Sequence, residues 1–470
     1  MRECTFIIMG ATGDLSKRKL IPAIYKLIVD KKIDKFALIG VANSEATIDQ
    51  VLQNAKPFVR KLDKTSWNKL KKVSYYQQLD FHNKKDYPKL QKLILSTQKK
   101  HKLCGNKIFY MATMPEHFQV ITKNLSDHKI VEKHNNKKEC INCKHPWSRI
   151  VYEKPFGDDL KSAKKINSCT LKLFHEKQIY RIDHYLGKEL VNNIALVRFT
   201  NKIFEPLWCS KHVDAIQIIF SEKEGIDSRG KFYDKYGAIK DVVQNHMFQM
   251  LALTAMEPPK SFDAKALRNA KSELLKTVKV DSVILGQYEG YRKEKNVNPK
   301  SKTETFAALK LSINNNRWKG VPFYLKTGKN LAKKESSIHI KFKMVKCLLS
   351  KSCPTDSNYM TIKISPNEGF FLEINAKIPE FSNEVTTVKM DFCHSCMFGP
   401  NTPAAYESLL ADVIKGDQST FVRSDEIEES WKIFEQIDLK NLKVYPYKKG
   451  STGPKELELL DKNRKIRWRA

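Results

Sequence analysis

The 470-residue chain lacks any run of 18 apolar residues, whereas a membrane-spanning helix needs about 20. We therefore expect no membrane span. The apolar run near the N-terminus, Thr5–Met9, is too short for a signal peptide and leads into a glycine turn, so it predicts a first strand and a cytoplasmic protein. Internal repeats and long low-complexity linkers are also absent. A chain of this length without them is expected to form two domains.

Acidic residues are scarce relative to basic ones, with 52 Asp and Glu against 84 Lys and Arg and a net charge of +32. Such an excess can indicate nucleic-acid binding. Here the lysines are dispersed through almost every segment, without a basic stripe or tail. That distribution favours solvated faces with a general attraction for anions over a dedicated nucleic-acid site. A phosphorylated substrate and a phosphorylated cofactor would both benefit from the positive field.

Because no secretory signal is expected, the ten scattered cysteines are expected to be reduced, free thiols. Two pairs have the spacing of zinc ligands: Cys140 with Cys143, and Cys393 with Cys396. A zinc site would require such a pair to be completed by two more ligands in space. The pairs are far apart in the sequence and the first lies in a polar stretch, so free thiols are favoured over a metal site.

The first third alternates apolar runs with amphipathic stretches, which predicts an α/β domain of the Rossmann type over residues 1–180. The predicted strands are Thr5–Met9, Phe36–Val41, Ile108–Ala112 and Ile150–Glu153, with a helix over Lys19–Val29 and a surface loop over Lys133–His145.

From about residue 190 the predicted strands follow one another with fewer helices between them. This predicts an α+β domain over residues 181–470, built on a large, mostly antiparallel sheet. A helical stretch, Ala404–Gln436, and a basic, irregular tail would follow the strands. The predicted strands are Val213–Ser221, Thr305–Ile313, Ile338–Phe342, Tyr359–Ser365, Phe370–Ile374 and Val385–Asp391.

A short glycine-containing turn follows the first predicted strand and precedes a helix. Glycines at such a turn let backbone N–H groups approach a pyrophosphate at the helix N-terminus. The spacing is Gly-x-x-Gly rather than Gly-x-Gly-x-x-Gly, so a plain strand–helix turn also explains it. The candidate cofactor residues of this turn are Gly10, Ala11, Thr12, Gly13, Asp14 and Leu15.

Cofactor choice depends on the end of the second strand, where an acid would bind the ribose hydroxyl of NAD and an Arg the 2′-phosphate of NADP. Asn43 and Ser44 stand there instead. Lys17, with Arg18 and Lys19, could supply positive charge from the facing turn. The missing acid favours NADP, with NAD as an alternative cofactor.

Lys154 follows the predicted strand Ile150–Glu153. A lysine at the carboxyl end of a parallel strand lies in the ligand crevice of such a fold, although an ordinary surface lysine would give the same pattern. Pro155 can fix the turn, with a cis peptide as one option.

Oxidation of a sugar hydroxyl requires a base near neutral pKa and a partner that stabilises its charged form. His246 lies in a helical-looking, apolar stretch, and Asp183 could be its partner. A packed or solvated histidine would look the same. His184, Tyr185 and Lys188 could cradle a phosphate dianion, although a polar surface turn is the alternative interpretation.

Read together, these segments closely resemble the glucose-6-phosphate dehydrogenase family over nearly the whole chain. The most specific match is the run of eleven residues from Gln178 to Lys188, Gln-Ile-Tyr-Arg-Ile-Asp-His-Tyr-Leu-Gly-Lys. The other matching segments lie at 10–15, 153–157, 198–208, 241–246, 320–329 and 421–426.

The resemblance implies that glucose 6-phosphate is oxidised to 6-phosphogluconolactone with hydride transfer to NADP, the first oxidative step of the pentose phosphate pathway. It implies that His246 is the base and that Asp183 hydrogen-bonds it. Lys154 would touch both substrate and cofactor. It also implies a homodimer formed through the large sheet, or a tetramer. The remaining implied substrate residues are His184, Tyr185 and Lys188 for the phosphate, and Glu222, Asp241, Lys329 and Lys334 for the sugar.

Four positions depart from the family pattern. Asn43 replaces a usual Arg, which weakens the NADP prediction. Glu335 and Glu373 stand where many animal members have lysines that grip a second, structural NADP, so we expect that site to be absent or altered. Ser365 replaces a Gln found near the substrate in animal members.

Three other functions remain to be weighed. Sugar oxidoreductases that share the Rossmann domain and the Glu-Lys-Pro turn act on unphosphorylated sugars, but they would not need the His184, Tyr185 and Lys188 cluster. A nucleic-acid-binding protein is suggested by the charge alone. A non-catalytic relative is disfavoured because both His246 and Asp183 are present.

Overall fold

The computed structural model describes residues 3–33, 35–133, 146–346, 356–379, 384–393, 396–397, 399 and 403–469. Apart from Lys133, the loop predicted at Lys133–His145 lies outside these residues. Within the described part of the chain, no helix combines the length and the apolar character needed to cross a bilayer. The chain divides into two compact units. The first comprises Met1–Lys188, Asp263–Arg268 and Pro403–Glu428, and the second Glu189–Phe262, Asn269–Thr402 and Glu429–Ala470.

The first unit contains a seven-stranded sheet, in which six strands are parallel and the short edge strand Phe421–Val422 runs antiparallel to Ile179–Ile182. Four of the parallel strands are buried along their whole length, which is typical of strands covered on both faces. The predicted Rossmann-type sheet is confirmed. Its strands are β1 (Cys4–Met9), β2 (Phe36–Ala42), β3 (Ser74–Gln78), β4 (Lys107–Met111), β5 (Ser148–Tyr152), β6 (Ile179–Ile182) and β15 (Phe421–Val422), in the order β15-β6-β5-β4-β1-β2-β3.

Helices connect these strands. The predicted helix over Lys19–Val29 is present, but it begins as a wider π-helical turn, Ser16–Leu20, in which the Ile21 N–H donates to the Ser16 carbonyl. Pro22 has no N–H, and its ring crowds the carbonyl four residues earlier, which accounts for the widened turn. The helices are α1 (Ile21–Val29), α2 (Ile48–Ala55), α3 (Lys64–Lys72), α4 (Tyr87–Lys100), α5 (Phe118–Asp127), α6 (Leu160–Leu173) and α11 (Ala405–Lys415).

The second unit contains a nine-stranded sheet, which confirms the predicted large, mostly antiparallel sheet. Among the strands that the structure describes, parallel pairing is confined to Val213–Ser221 with Phe323–Gly328 and to Val278–Tyr288 with Val444–Tyr447. The strands are β7 (Val213–Ser221), β8 (Val278–Tyr288), β9 (Phe306–Ile313), β10 (Phe323–Gly328), β11 (Glu335–Phe342), β12 (Tyr359–Ser365), β13 (Gly369–Lys377), β14 (Val385–Cys393) and β16 (Val444–Tyr447), in the order β14-β13-β12-β11-β7-β10-β9-β8-β16.

The helices of this unit include a π-helical segment of nine residues, Ile239–Met247, that continues directly into the next helix. The α-helices are α7 (Glu189–Thr200), α8 (Gly230–Ala238) and α9 (Phe248–Ala255). Two more helices, α10 (Ala264–Leu275) and α12 (Ser424–Glu435), begin in the first unit and end in the second.

The predicted helical stretch over Ala404–Gln436 is confirmed in part, because it consists of two helices with a break between them. The helix α11 ends at Gly416, whose φ of 91° is left-handed and whose N–H donates to the Asp412 carbonyl. A left-handed glycine is a common helix terminator. The strand β15 and the helix α12 follow. The tail is also less irregular than predicted, because it contributes β16 and a short 3₁₀ helix, Lys455–Leu460.

The prediction of free thiols is wrong for one of the two pairs. Cys393 ends β14 and forms a disulfide with Cys396, at a Cα–Cα distance of 5.2 Å that lies within the usual range for such a bond. Cys104 is also disulfide-bonded, so the prediction of free thiols is wrong there as well, whereas Cys4, Cys169 and Cys209 are free. The other pair, Cys140 and Cys143, lies outside the described residues.

Candidate active site

The glycine turn after β1 is bound to the end of β2. The N–H groups of Gly10 and Ala11 both donate to the Val41 carbonyl, at 2.7 and 3.0 Å. Gly10 has a φ of 95°, and a Cβ atom there would lie 2.4 Å from the Ala112 carbonyl oxygen. Because only glycine satisfies both conditions, the turn can bring its backbone close to a ligand.

Gly40 lies in β2 and packs against this turn, and the sequence analysis did not identify it as a site residue. A Cβ atom on Gly40, within β2, would lie 2.9 Å from the Ala11 Cβ, so this strand and the turn approach each other too closely for a larger residue. The signal in the sequence was a glycine inside an otherwise apolar strand, which often marks a close backbone approach. The arrangement suits a dinucleotide pyrophosphate at the start of the following helix.

The residues expected to choose the cofactor lie around this turn. The Ser44 hydroxyl donates to Thr12 Oγ1 at 3.1 Å, and the exposed Asn43 accepts at its carbonyl from Gln78 Nε2 at 3.1 Å. The hydroxyls of Thr12 and Ser44 therefore form one polar pair between the turn and the end of β2.

Asp14 pairs with two cations that follow it in the chain, Lys17 and Arg18. Lys17 Nζ and Arg18 Nε lie 3.1 and 2.9 Å from its carboxylate. Hydrogen bonding from Lys17 and then from Arg18 holds the pKa of Asp14 below its usual value. The sequence pattern had not indicated that Asp14 partly neutralises both cations.

Lys154 follows β5 and is joined to Pro155 by a cis peptide. Its neighbour Glu153 is fixed by two phenols: the Tyr110 hydroxyl donates to Glu153 Oε1 at 2.5 Å and the Tyr406 hydroxyl at 3.1 Å. Burial raises the pKa of the Glu153 carboxyl, and the two phenols oppose that rise. Sequence reasoning had singled out neither tyrosine.

Four predicted residues share one turn after β6. The Tyr185 N–H donates to Asp183 Oδ1 at 3.0 Å, and the Asp183 side chain is buried. The rings of His184 and Tyr185 are 4.9 Å apart, and Lys188 Nζ lies 5.1 Å from the Tyr185 ring centre. The turn therefore places imidazole, phenol and ammonium groups together, the set of donors that suits a phosphate.

In the second unit, Asp241 and His246 are both buried on the π-helical segment Ile239–Met247. The chain enters this segment through Gly237, whose φ of 64° breaks the helical course of α8. π-helical turns are rare and often occur at functional sites. The sequence pattern predicted a helical stretch here without indicating its wider turns.

Glu222 and Lys329 form an ion pair with a 2.5 Å separation between Oε2 and Nζ. They directly follow the paired carboxyl ends of the parallel strands β7 and β10. Lys329 is 2% exposed, and its carbonyl accepts from the Tyr447 hydroxyl at 2.7 Å. Lys334 instead pairs with Glu224 at 2.9 Å, where both side chains are half exposed.

Two domain families match this chain. The glucose-6-phosphate dehydrogenase NAD-binding domain matches residues 7–193, and the glucose-6-phosphate dehydrogenase C-terminal domain matches residues 195–469. The chain belongs to the glucose-6-phosphate dehydrogenase family.

Relatives in this family match along nearly their whole length. The glucose-6-phosphate 1-dehydrogenase of Chlamydia pneumoniae is 40% identical, over 99% of this chain and 96% of its own length. That of Bacillus subtilis is 37% identical, over 99% and 98%.

A solved glucose-6-phosphate dehydrogenase in complex with glucose 6-phosphate is 32% identical, with a TM-score of 0.90 over 100% of this chain and 99% of its own. The enzyme from Mycobacterium avium is also 32% identical, with a TM-score of 0.86 over 99% and 98%.

Proposed function

We propose that this chain is a glucose-6-phosphate 1-dehydrogenase, which oxidises D-glucose 6-phosphate to 6-phospho-D-glucono-1,5-lactone. The full-length match to this family carries the proposal. The individual residues support it, because the chain keeps a buried His246, a buried Asp183 and the donor cluster of the turn after β6.

His246 is the proposed general base, which takes the proton of the C1 hydroxyl as the hydride leaves C1. Asp183 is proposed to stabilise the protonated imidazole. Histidine suits this role because the ordinary pKa of an imidazole side chain lies near neutral pH.

The phosphate and the sugar are assigned to separate groups of side chains. His184, Tyr185 and Lys188 are proposed to hold the 6-phosphate, since their turn gathers a cation and two further hydrogen-bonding groups. The sugar hydroxyls are assigned to polar and charged side chains that can donate or accept hydrogen bonds. These are Lys154, Glu222, Asp241, Lys329 and Lys334.

NADP is the proposed cofactor, with NAD as an alternative, and when bound it supplies the hydride acceptor. The glycine turn accommodates the dinucleotide backbone, with Gly10, Ala11, Thr12, Gly13 and Asp14 next to Leu15. We assign the discrimination between NADP and NAD to Asn43, Lys17 and Ser44. Lys154 is proposed to contact the cofactor as well as the substrate.

We propose that the site for a second, structural NADP is absent or altered. Glu373 is already paired with Arg469, at 2.6 Å. Glu335 accepts from the Ser337 hydroxyl at 2.8 Å and lies 3.7 Å from His339 Nε2. Both acids would repel a phosphate, and the cation beside Glu373, Arg469, is already engaged with it.

We further propose a cytoplasmic homodimer, or a tetramer built from it. Apolar side chains on β13 and β14 are exposed, among them Ile374, Val388 and Met390 at 36%, 37% and 58%. An exposed apolar patch on a sheet indicates a protein interface. We retain residues 1–180 as the dinucleotide-binding domain and 181–470 as the substrate-binding and dimerisation domain.

The alternative of a sugar oxidoreductase for unphosphorylated sugars has weaker support. A levoglucosan dehydrogenase in complex with NADH and levoglucosan has a TM-score of 0.51 and 9% identity, a likeness that shows the fold alone.

Steady-state kinetics of the purified protein test the proposal. We expect turnover of glucose 6-phosphate with NADP, a lower kcat/KM with NAD, and little turnover of glucose. Oxidation of glucose and its 6-phosphate with equal kcat/KM would support the alternative, and absence of any dehydrogenase activity would contradict both.

A further inference from the structure

Tyr233 lies on α8 and is fully buried, at 0% exposure. Its hydroxyl oxygen has no hydrogen-bond partner among the residues that the structure describes. The neighbouring phenols differ in this respect. The Tyr291 hydroxyl donates to Asp234 at 2.9 Å, the Tyr288 hydroxyl to Glu294 at 3.2 Å and the Tyr447 hydroxyl to the Lys329 carbonyl at 2.7 Å.

The phenol lies beside the proposed sugar site. Lys329 Nζ is 5.6 Å from the Tyr233 ring centre, and the same ammonium group is paired with Glu222. Tyr233 lies eight residues before Asp241 in the chain, on the other side of the kink at Gly237. The ring therefore packs against one residue assigned to the sugar hydroxyls and lies close in the chain to another.

Burial raises the pKa of the Tyr233 hydroxyl well above its usual value, and the charges of Asp241, Glu304 and Glu222 add to the rise. The phenol is thus protonated at neutral pH and can donate a hydrogen bond as well as accept one. A buried hydroxyl without a partner is costly. A ligand bound in the neighbouring site would supply the missing hydrogen-bond partner, and this would account for the buried hydroxyl.

We propose that the Tyr233 hydroxyl hydrogen-bonds a ring hydroxyl of the hexose phosphate, as a further specificity-determining residue. The inference rests on the proposed function. A neutral phenol suits a neutral sugar hydroxyl, which likewise donates and accepts. Among the charged groups near the phenol, Glu222 and Lys329 are paired with each other.

Tyr233→Phe removes the hydroxyl and keeps the ring. We expect kcat/KM for glucose 6-phosphate to fall about tenfold, as expected for a lost hydrogen bond that leaves a sugar hydroxyl unpaired, mainly through KM. The melting temperature without ligand should be unchanged or higher, because no bond within the protein is lost. Glucose 6-phosphate should raise the melting temperature of the variant less than that of the wild type.

Deoxy substrates identify the contact from the other side. The penalty of Tyr233→Phe should disappear for one among 2-deoxy-, 3-deoxy- and 4-deoxyglucose 6-phosphate, the analogue that lacks the bonded hydroxyl, and persist for the others. Tyr291→Phe is the matched control. It loses the bond to Asp234, so it should lower the melting temperature while leaving KM unchanged.

Unchanged kcat/KM and unchanged ligand stabilisation in Tyr233→Phe would overturn the inference and assign the hydroxyl to a structural water or to no partner. A lower melting temperature without ligand, with an equal loss on every deoxy substrate, would also overturn it. If the wild-type protein neither binds nor oxidises glucose 6-phosphate, the proposed function fails and this inference fails with it. Normal wild-type kinetics with an unaffected variant would remove this inference alone.

Discussion

The Glu304 carboxylate occupies the space that a side chain on Gly237 would need. A Cβ atom on Gly237 would lie 2.4 Å from Glu304 Oε1. The same oxygen accepts from the Ile239 N–H at 3.1 Å, and the Glu304 carbonyl accepts from the Ala238 N–H at 3.0 Å. Glu304 thus fixes the start of the π-helical segment that carries Asp241 and His246.

Glu304 should make the stability of the protein depend on pH. Burial raises the pKa of its carboxyl from 4.5 to about 7, although the Ile239 N–H opposes the rise. A raised carboxyl pKa stabilises the folded state below pH 4.5, and this contribution is lost as the pH rises through 7. Relative to Glu304→Gln, the wild-type free energy of unfolding should fall by about 3 kcal/mol across this range.

Urea unfolding at a series of pH values measures this difference. Glu289→Gln, at an exposed position, is the control and should track the wild type. A constant difference between Glu304→Gln and the wild type at all pH values would show that Glu304 does not titrate in this way.

Part of this arrangement could be predicted from the sequence and part could not. The spacing of apolar residues predicted β1, β2 and the large sheet, because burial of apolar faces sets these periods. Glu304 was missed because its partners, Gly237 and Ile239, are about 65 residues away in the chain and a capping contact at that separation leaves no local pattern. The disulfide of Cys393 was missed because the reduced state had been inferred from the compartment rather than from geometry.

His246→Asn should lower kcat by about 10²–10⁴-fold, the usual contribution of a general base, while KM changes little. His339→Asn is the matched control, because His339 is also buried but is hydrogen-bonded to Ser337 and Thr361. Near-normal kcat in His246→Asn would remove His246 from the role of base.

Lys188→Ala should raise KM for glucose 6-phosphate by about tenfold to a hundredfold, since a charge-assisted bond to the phosphate is lost. The residual activity on unphosphorylated glucose should be unchanged. Lys161→Ala, on the exposed side of α6, controls for the loss of one positive charge. An unchanged KM would favour a sugar oxidoreductase whose site does not bind the phosphate.

Asn43→Arg should increase the preference for NADP over NAD by about tenfold or more, because a guanidinium binds a phosphate with two charge-assisted bonds. The ratio of the two kcat/KM values measures it. Asn54→Arg adds the same charge at an exposed position of α2 and should leave the ratio unaltered. No change in Asn43→Arg would place the 2′-phosphate away from the end of β2.

Met390→Glu should weaken the proposed dimer, because it adds a charge to an exposed apolar patch on β14. Sedimentation velocity over a range of protein concentrations measures the dissociation. Leu95→Glu changes an equally exposed side chain on α4, at 59%, and should leave the assembly intact. A wild-type protein that sediments as a monomer would contradict the proposed dimer itself.

The strand β15, with residues Phe421–Val422, pairs with β6 at Ile182 and Arg181, directly before Asp183. During synthesis, the ribosome releases β6 long before it reaches β15. The nascent first unit therefore has an open sheet edge next to Asp183, one of its proposed catalytic residues, until most of the polypeptide has been synthesised. Loss of the last tenth of the chain would leave β15 in place. A chain that ended shortly before Phe421 would instead leave the edge of β6 unpaired.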